Sequence, residues 1–173
     1  MSLPNAPFGF RAIRTLNGGD LRLGRYTVAS TSARIFKGDV VVLANSTGLV
    51  TRQTASGTER VLGVADRDTG VISGQITDFP VFDDPSTVYE VQGNNTAAIT
   101  QAKFGNPFRI VATTGDTSLG YSKEAVAIAS ATAASASNIV FAVRLSPKME
   151  NDLSQYSVIE CTLAGDPTKT ARA

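Results

Sequence analysis

The chain has 173 residues, a formal net charge of +1, 42% hydrophobic residues and only 18% charged ones. A chain of this length suits one domain that buries about 70% of its unfolded surface, and so few charges leave a neutral polar surface that suits packing against copies or partners. With no histidine and Cys161 as the only cysteine, an internal disulfide, Cys–His and Ser–His nucleophiles and histidine-ligated metals are excluded, and no cofactor is expected.

The chain opens on an arm, residues 1–20 including a first strand. Pro4 and Pro7 remove two N–H donors and push Leu3 and Ala6 away from helix. If the arm is extended, Phe8 and Phe10 lie on one side of it, and an aromatic pair on a terminus wants a surface to cover. Either the arm folds back over its own core, as ordered termini usually do, or it covers another chain. Asn17, Gly18 and Gly19 form a tight turn and lack the strand and helix context of a phosphate cradle.

Residues 21–163 read as a single β domain. Runs rich in Val, Ile and Thr recur about every ten residues between Gly, Asn, Asp and Ser, the spacing of a sandwich or barrel. Strands are expected at 10–14, 25–29, 40–44, 49–53, 61–65, 87–92, 98–101, 108–112, 139–145 and 157–163. The run Val40, Val41, Val42, Leu43 reads as a strand buried on both faces, and residues 45–48 turn it into a half-exposed partner. Gly63 inside the next strand suggests a bulge or a close backbone approach.

Residues 122–137, dominated by Ala and Ser, are expected to form a short helical turn at 122–128 and then an exposed loop. Cys161 lies in an apolar run and reads as a small buried hydrophobe. Residues 164–173 lack apolar anchors and read as a loose tail. The fold class expected is therefore all-β, an antiparallel sandwich or barrel-like domain with an extended N-terminal arm and at most short helical turns.

Candidate chemistry is sparse. Asp83 and Asp84 before Pro85 fit a turn better than an acid–base pair. Asp66, Asp68 and Asp78 match no cation-binding loop and read as solvated turn residues. Residues 1–40 carry six Lys/Arg against two Asp, a mild excess that favours an acidic partner surface. There is no basic run with interleaved aromatics, so nucleic acid is not an expected partner. No stretch of 18 apolar residues exists and no signal-peptide pattern opens the chain, so a soluble protein made in the cytoplasm is expected.

Several short pieces then fall in a telling order. Residues 7–11 (Pro, Phe, Gly, Phe, Arg) precede 16–19 (Leu, Asn, Gly, Gly); 36–41 (Phe, Lys, Gly, Asp, Val, Val) follow. Asp83, Asp84 and Pro85 then lead into Tyr89, Glu90, Val91 and Gln92, and Leu145, Ser146 and Pro147 close the series. This series resembles the head-decoration, or cement, proteins of tailed bacteriophages. The resemblance implies a β-rich virion structural protein, often a homotrimer, on the outer capsid surface, stabilising the shell by bridging neighbouring major capsid protein subunits. Pro7, Phe8, Phe10, Arg11 and Arg14 are the protein-binding residues expected on this reading, the rings as anchors and Arg11 as a charged donor to coat carboxylates. The alternatives are another virion component, such as a host-attachment or carbohydrate-binding module, or a tail or minor head protein.

Overall fold

A computed structural model describes residues 3–54, 59–94, 97–130, 138–148 and 150–163. It contains β1 (Arg11–Thr15), β2 (Gly24–Val28), β3 (Val40–Leu43), β4 (Val50–Arg52), β5 (Arg60–Ala65), β6 (Ile76–Phe82), β7 (Thr87–Gln92), β8 (Pro107–Val111), β9 (Ala125–Ala127), β10 (Asn138–Leu145) and β11 (Val158–Leu163). Single 3-10 turns at Gln101–Lys103 and Ile128–Ser130 are the only helical elements among the described residues. The all-β expectation holds. Strands β2-β4-β3-β5-β6 close into a small barrel, and β1-β7-β11-β10-β8-β9 form a six-stranded sheet. Pairing is antiparallel except where β2 meets β4, in parallel at Val28 and Val50.

The valine run explains how barrel and sheet share a core. Successive side chains of a strand point to opposite faces, so Val41 fills the barrel with Val28, Phe79 and Val81. Val40 and Val42 point the other way, into a larger core with Tyr89, Val91, Phe108, Ile139 and Ile159 of the sheet. Each fully buried valine contributes about 1.5–3 kcal/mol relative to exposure. The neighbouring strand needs Gly63 to do the same. A Cβ there would lie 1.9 Å from the Phe82 carbonyl oxygen, and the register against β3 shifts beside it. That bulge lets Val61 and Val64, three residues apart, enter the same core. Cys161 is buried in it as well.

Three local expectations are corrected. Residues 98–101 form no strand, and Gln101 instead starts a 3-10 turn. Residues 125–127 are strand β9 rather than helix, because β8 offers an edge to pair with Arg109, Ile110 and Val111. Residues 76–82 form β6, which is not among the expected strands; Pro80 lies within it and Asp78 takes a φ of 57°. Residues 131–137 and 164–173, the rest of the Ala/Ser loop and the tail, lie outside the described residues.

The arm docks on its own body. Residues 4–8 run over the outer face of the sheet, where Gln92 Nε2 donates to the Pro4 carbonyl at 2.9 Å and the Ala6 amide donates to Gln92 Oε1 at 3.0 Å. Phe10 is 2% exposed and stands edge-on to Tyr89, ring centroids 6.4 Å apart. We therefore expect Phe10→Ala to cost about 3–5 kcal/mol. Removing residues 2–6 should cost about 2 kcal/mol or less, two hydrogen bonds at roughly 1 kcal/mol each. Urea denaturation checks both, and a Phe10→Ala protein as stable as wild type would contradict the buried position.

Candidate functional site

The five residues expected to bind a partner divide into surface and interior. Pro7 and Phe8 are half-buried, Arg11 is exposed and Phe10 belongs to the core. Phe10 is therefore withdrawn from any adhesive role. Gly9 causes the split: its φ of +73° turns the chain, and a Cβ there would lie 2.4 Å from that of Ser122. Phe8 consequently does not share a side with Phe10; it packs on the sheet with the Arg11 guanidinium 5.7 Å and the Lys148 ammonium 5.2 Å from its ring centre. Arg14 is half-buried, and its Nη2 donates to Glu160 Oε2 at 2.6 Å.

These residues form part of a charged row crossing four strands. Arg11 of β1 faces Glu90 of β7, Glu90 faces Glu160 of β11, and Glu160 faces Arg144 of β10. Two carboxylates directly opposite each other repel, and cations compensate. Arg144 Nε and Nη2 donate to Glu160 at 2.9 and 3.0 Å beside the bond from Arg14. Burial pushes the Glu160 carboxyl up, but Arg144 and Arg14 outweigh it and hold the group below its ordinary range. Glu90 receives the Ser146 hydroxyl at 2.6 Å and Lys148 Nζ at 2.8 Å.

A second charged cluster escapes sequence reading. Asp39 and Glu124 have completely buried side chains, and Arg52, 14% exposed, lies between them, 2.8 Å from Asp39 Oδ2 and 3.3 Å from Glu124 Oε1. Glu124 Oε2 accepts the Val40 amide at 2.9 Å, Asp39 Oδ2 accepts the Phe36 amide at 2.9 Å, and Arg52 Nη2 also donates to the Thr113 carbonyl. The guanidinium sits 5.9 Å from the Phe36 ring centre. The groups come from 39, 52 and 124, so no local spacing signals them; the one sequence hint is Asp39 placed directly before the β-branched run at 40–42. Burial raises the Glu124 carboxyl well above its ordinary range, with the neighbouring Asp39 adding to the rise. Asp39 is also raised, by burial that Arg52 only partly offsets.

This is a buried structural triad: Asp39 and Glu124 are met by Arg52 and by the Phe36 and Val40 amides, Arg52 Nε lies 2.8 Å from Asp39 Oδ2 without hydrogen-bond geometry, and neither of two surface concavities includes the cluster. One of those concavities, about 290 Å³ in volume, lies where barrel meets sheet and is lined by Tyr26, Leu43, Arg60, Leu62, Asp83 and Tyr89 among others. In it Tyr26 donates to Asp83 Oδ2 at 2.6 Å, and burial followed by that bond pushes the phenol up to about 12. Asp84 closes the turn by accepting the Ser86 amide and hydroxyl at 2.8 and 2.7 Å. Asp66, Asp68 and Asp78 do not converge but pair separately with Lys37, Arg34 and Arg25.

Apolar side chains are exposed on adjoining loops. Val71 is 87%, Leu119 70% and Tyr121 53% exposed. Arg34 ties the two loops together, donating to Asp68 from Nε at 2.9 Å and to the Thr117 carbonyl at 3.3 Å. Leu16, Leu21 and Leu23, on the connection from β1 to β2, are also exposed. No family model, curated protein or solved structure matches the chain.

The triad makes a pH-dependent contribution with a definite sign. Both carboxyls titrate higher in the folded chain than in the unfolded one, so their contribution is most favourable below the ordinary carboxylate range near ~4 and is lost as pH rises through the raised folded values. Glu124→Gln should therefore gain stability relative to wild type as pH rises from about 4 to 8. Arg52→Ala, which leaves two buried carboxyls without their cation, should cost about 3–5 kcal/mol at neutral pH. Denaturation of the three proteins across pH checks this; parallel wild-type and Glu124→Gln curves would contradict the raised values.

Proposed function

We propose that this chain is a decoration protein of a tailed-phage capsid, which binds the outer shell as a homotrimer and bridges neighbouring major capsid protein subunits. The observation that carries the reading is the exposure of Val71, Leu119 and Tyr121 on adjoining loops, on a body whose buried charges close on one another. Apolar side chains exposed together on adjoining loops suit a contact surface. The ordered resemblance of residues 7–11, 16–19, 36–41, 83–92 and 145–147 to cement proteins supplies the class of partner.

The arm enters this reading in a narrower form. Pro7, Phe8 and Arg11 reach the surface as a strap already ordered on the sheet, so binding loses little conformational freedom. Three such surfaces in a trimer reinforce one another, since the first contact raises the effective concentration of the others to about millimolar. A weak contact per subunit is then enough to hold a shell.

Replacing both Val71 and Leu119 by Asp tests the reading. The double variant should fold with a stability within about 0.5 kcal/mol of wild type per exposed site. Its occupancy on capsids assembled from the cognate coat protein, measured by sedimentation, should fall at least about tenfold. Wild-type protein that leaves such capsids bare, or a double variant that fills them equally, would contradict the proposal.

A further inference from the structure

We propose that the outer face of the six-stranded sheet docks an extended acidic polypeptide segment of the partner, with Arg11 and Arg144 as its two outer contacts. The inference rests on the decoration reading for the identity of the partner and on the charged row for its chemistry. Among the described residues, Arg11, Arg14, Arg144 and Lys148 pair with or face Glu90 and Glu160, four cations against two carboxylates. The carboxylate side chains are 9% and 3% exposed and are already satisfied, whereas those of Arg14, Arg144 and Lys148 are 39–56% exposed. Arg11 is exposed and has no carboxylate partner among the described residues. Two positive charges are thus left over, facing solvent.

Unused donors point the same way. A guanidinium carries five N–H groups, and Arg144 gives Nε and Nη2 to Glu160 while its other amino group remains available. Phe8, half-buried between Arg11 and Lys148, adds an apolar floor to the row. The bulge in β1 between Ala12 and Arg14 interrupts the sheet edge, which disfavours strand addition there, so recognition falls to side chains.

Spacing sharpens the ligand. Arg11 and Arg144 lie three strand steps apart in the order β1-β7-β11-β10, roughly 14 Å at ~4.8 Å per step. Acidic residues at i and i+4 of an extended segment are about 13 Å apart at ~3.3 Å per residue. Acidic side chains four residues apart on an extended strap crossing the strands therefore match both outer cations. A phosphodiester chain is a poorer match, because a surplus of two charges releases few counterions compared with the six to ten contacts typical of nucleic-acid binding.

The test uses the full chain and fluorescein-labelled peptides with Glu at i and i+4 in a Ser/Thr background, read by fluorescence anisotropy at low ionic strength. The acidic peptide should bind at least about tenfold more tightly than its Gln counterpart, weaken with added salt, and lose about tenfold in affinity for Arg11→Glu. Arg11→Gln, which places no acid opposite Glu90, should lose affinity in the same direction. Equal binding of the Gln peptide, unchanged affinity of both Arg11 variants, or tighter binding of a single-stranded oligonucleotide than of the acidic peptide would overturn the proposal. Capsid occupancy separates it from the decoration reading. Wild type and Arg11→Glu filling shells equally would remove the docking face alone, and acidic-peptide binding by a chain that leaves shells bare would remove the decoration reading alone.

Discussion

One guanidinium between two buried carboxyls constrains the molecule more than any other polar contact. Arg52 ends β4 of the barrel, Asp39 precedes β3, and Glu124 directly precedes β9 at the edge of the sheet. Taking charges out of water is costly, and breaking such a set leaves an uncompensated charge inside. Once folded, therefore, barrel and sheet cannot separate without exposing Glu124 and Asp39 and losing the bond from the Val40 amide to Glu124. The apolar core shared by Val40, Val42, Val61 and Val64 with the sheet acts in the same direction. Polar and apolar links together make one body of the two assemblies.

The same rule governs the opposite face of the sheet with a different result. Glu90 and Glu160 oppose each other across β7 and β11, and four flexible cations at the rim settle their repulsion. Because those cations outnumber the acids, the solution leaves positive charge outside, and the strap meets the row at Arg11 and Lys148, where it adds Phe8. A surface that arises from solving an internal problem is thereby available for contact. On the proposed reading the rigid body sets the geometry, the loops carrying Val71, Leu119 and Tyr121 supply apolar contact, and the charged row selects an acidic partner.

What the sequence revealed follows from how local each cause is. The β-branched run at 40–43 encodes its own conformation and two-sided burial, and Gly63 signals a bulge or close backbone approach from the residues alone, while only the fold shows that Phe82 is what approaches. β6 was hidden because Asp78 and Pro80 interrupt the pattern, and closure of the barrel around them overrides that local preference. β9 was hidden because Ala125 and Ala127 favour helix intrinsically, while β8 and the core at Val126 decide for strand. The arm was half legible: its extended character is written in Pro4 and Pro7, but the turn at Gly9 that sends Phe10 inward depends on Ser122 and Gly38, far along the chain. The triad was invisible for the same reason, since only the closed fold brings 39, 52 and 124 together.

Native-state amide hydrogen exchange tests the central claim most directly, through the Val40 and Phe36 amides held by the triad and the Tyr89 and Ile159 amides of the sheet. One body held by the buried charges and the shared core requires all four to exchange with the same, global, free energy of opening, shifting together with denaturant. Exchange of Val40 and Phe36 through a separate opening of much lower free energy, with the sheet amides still protected, would contradict it.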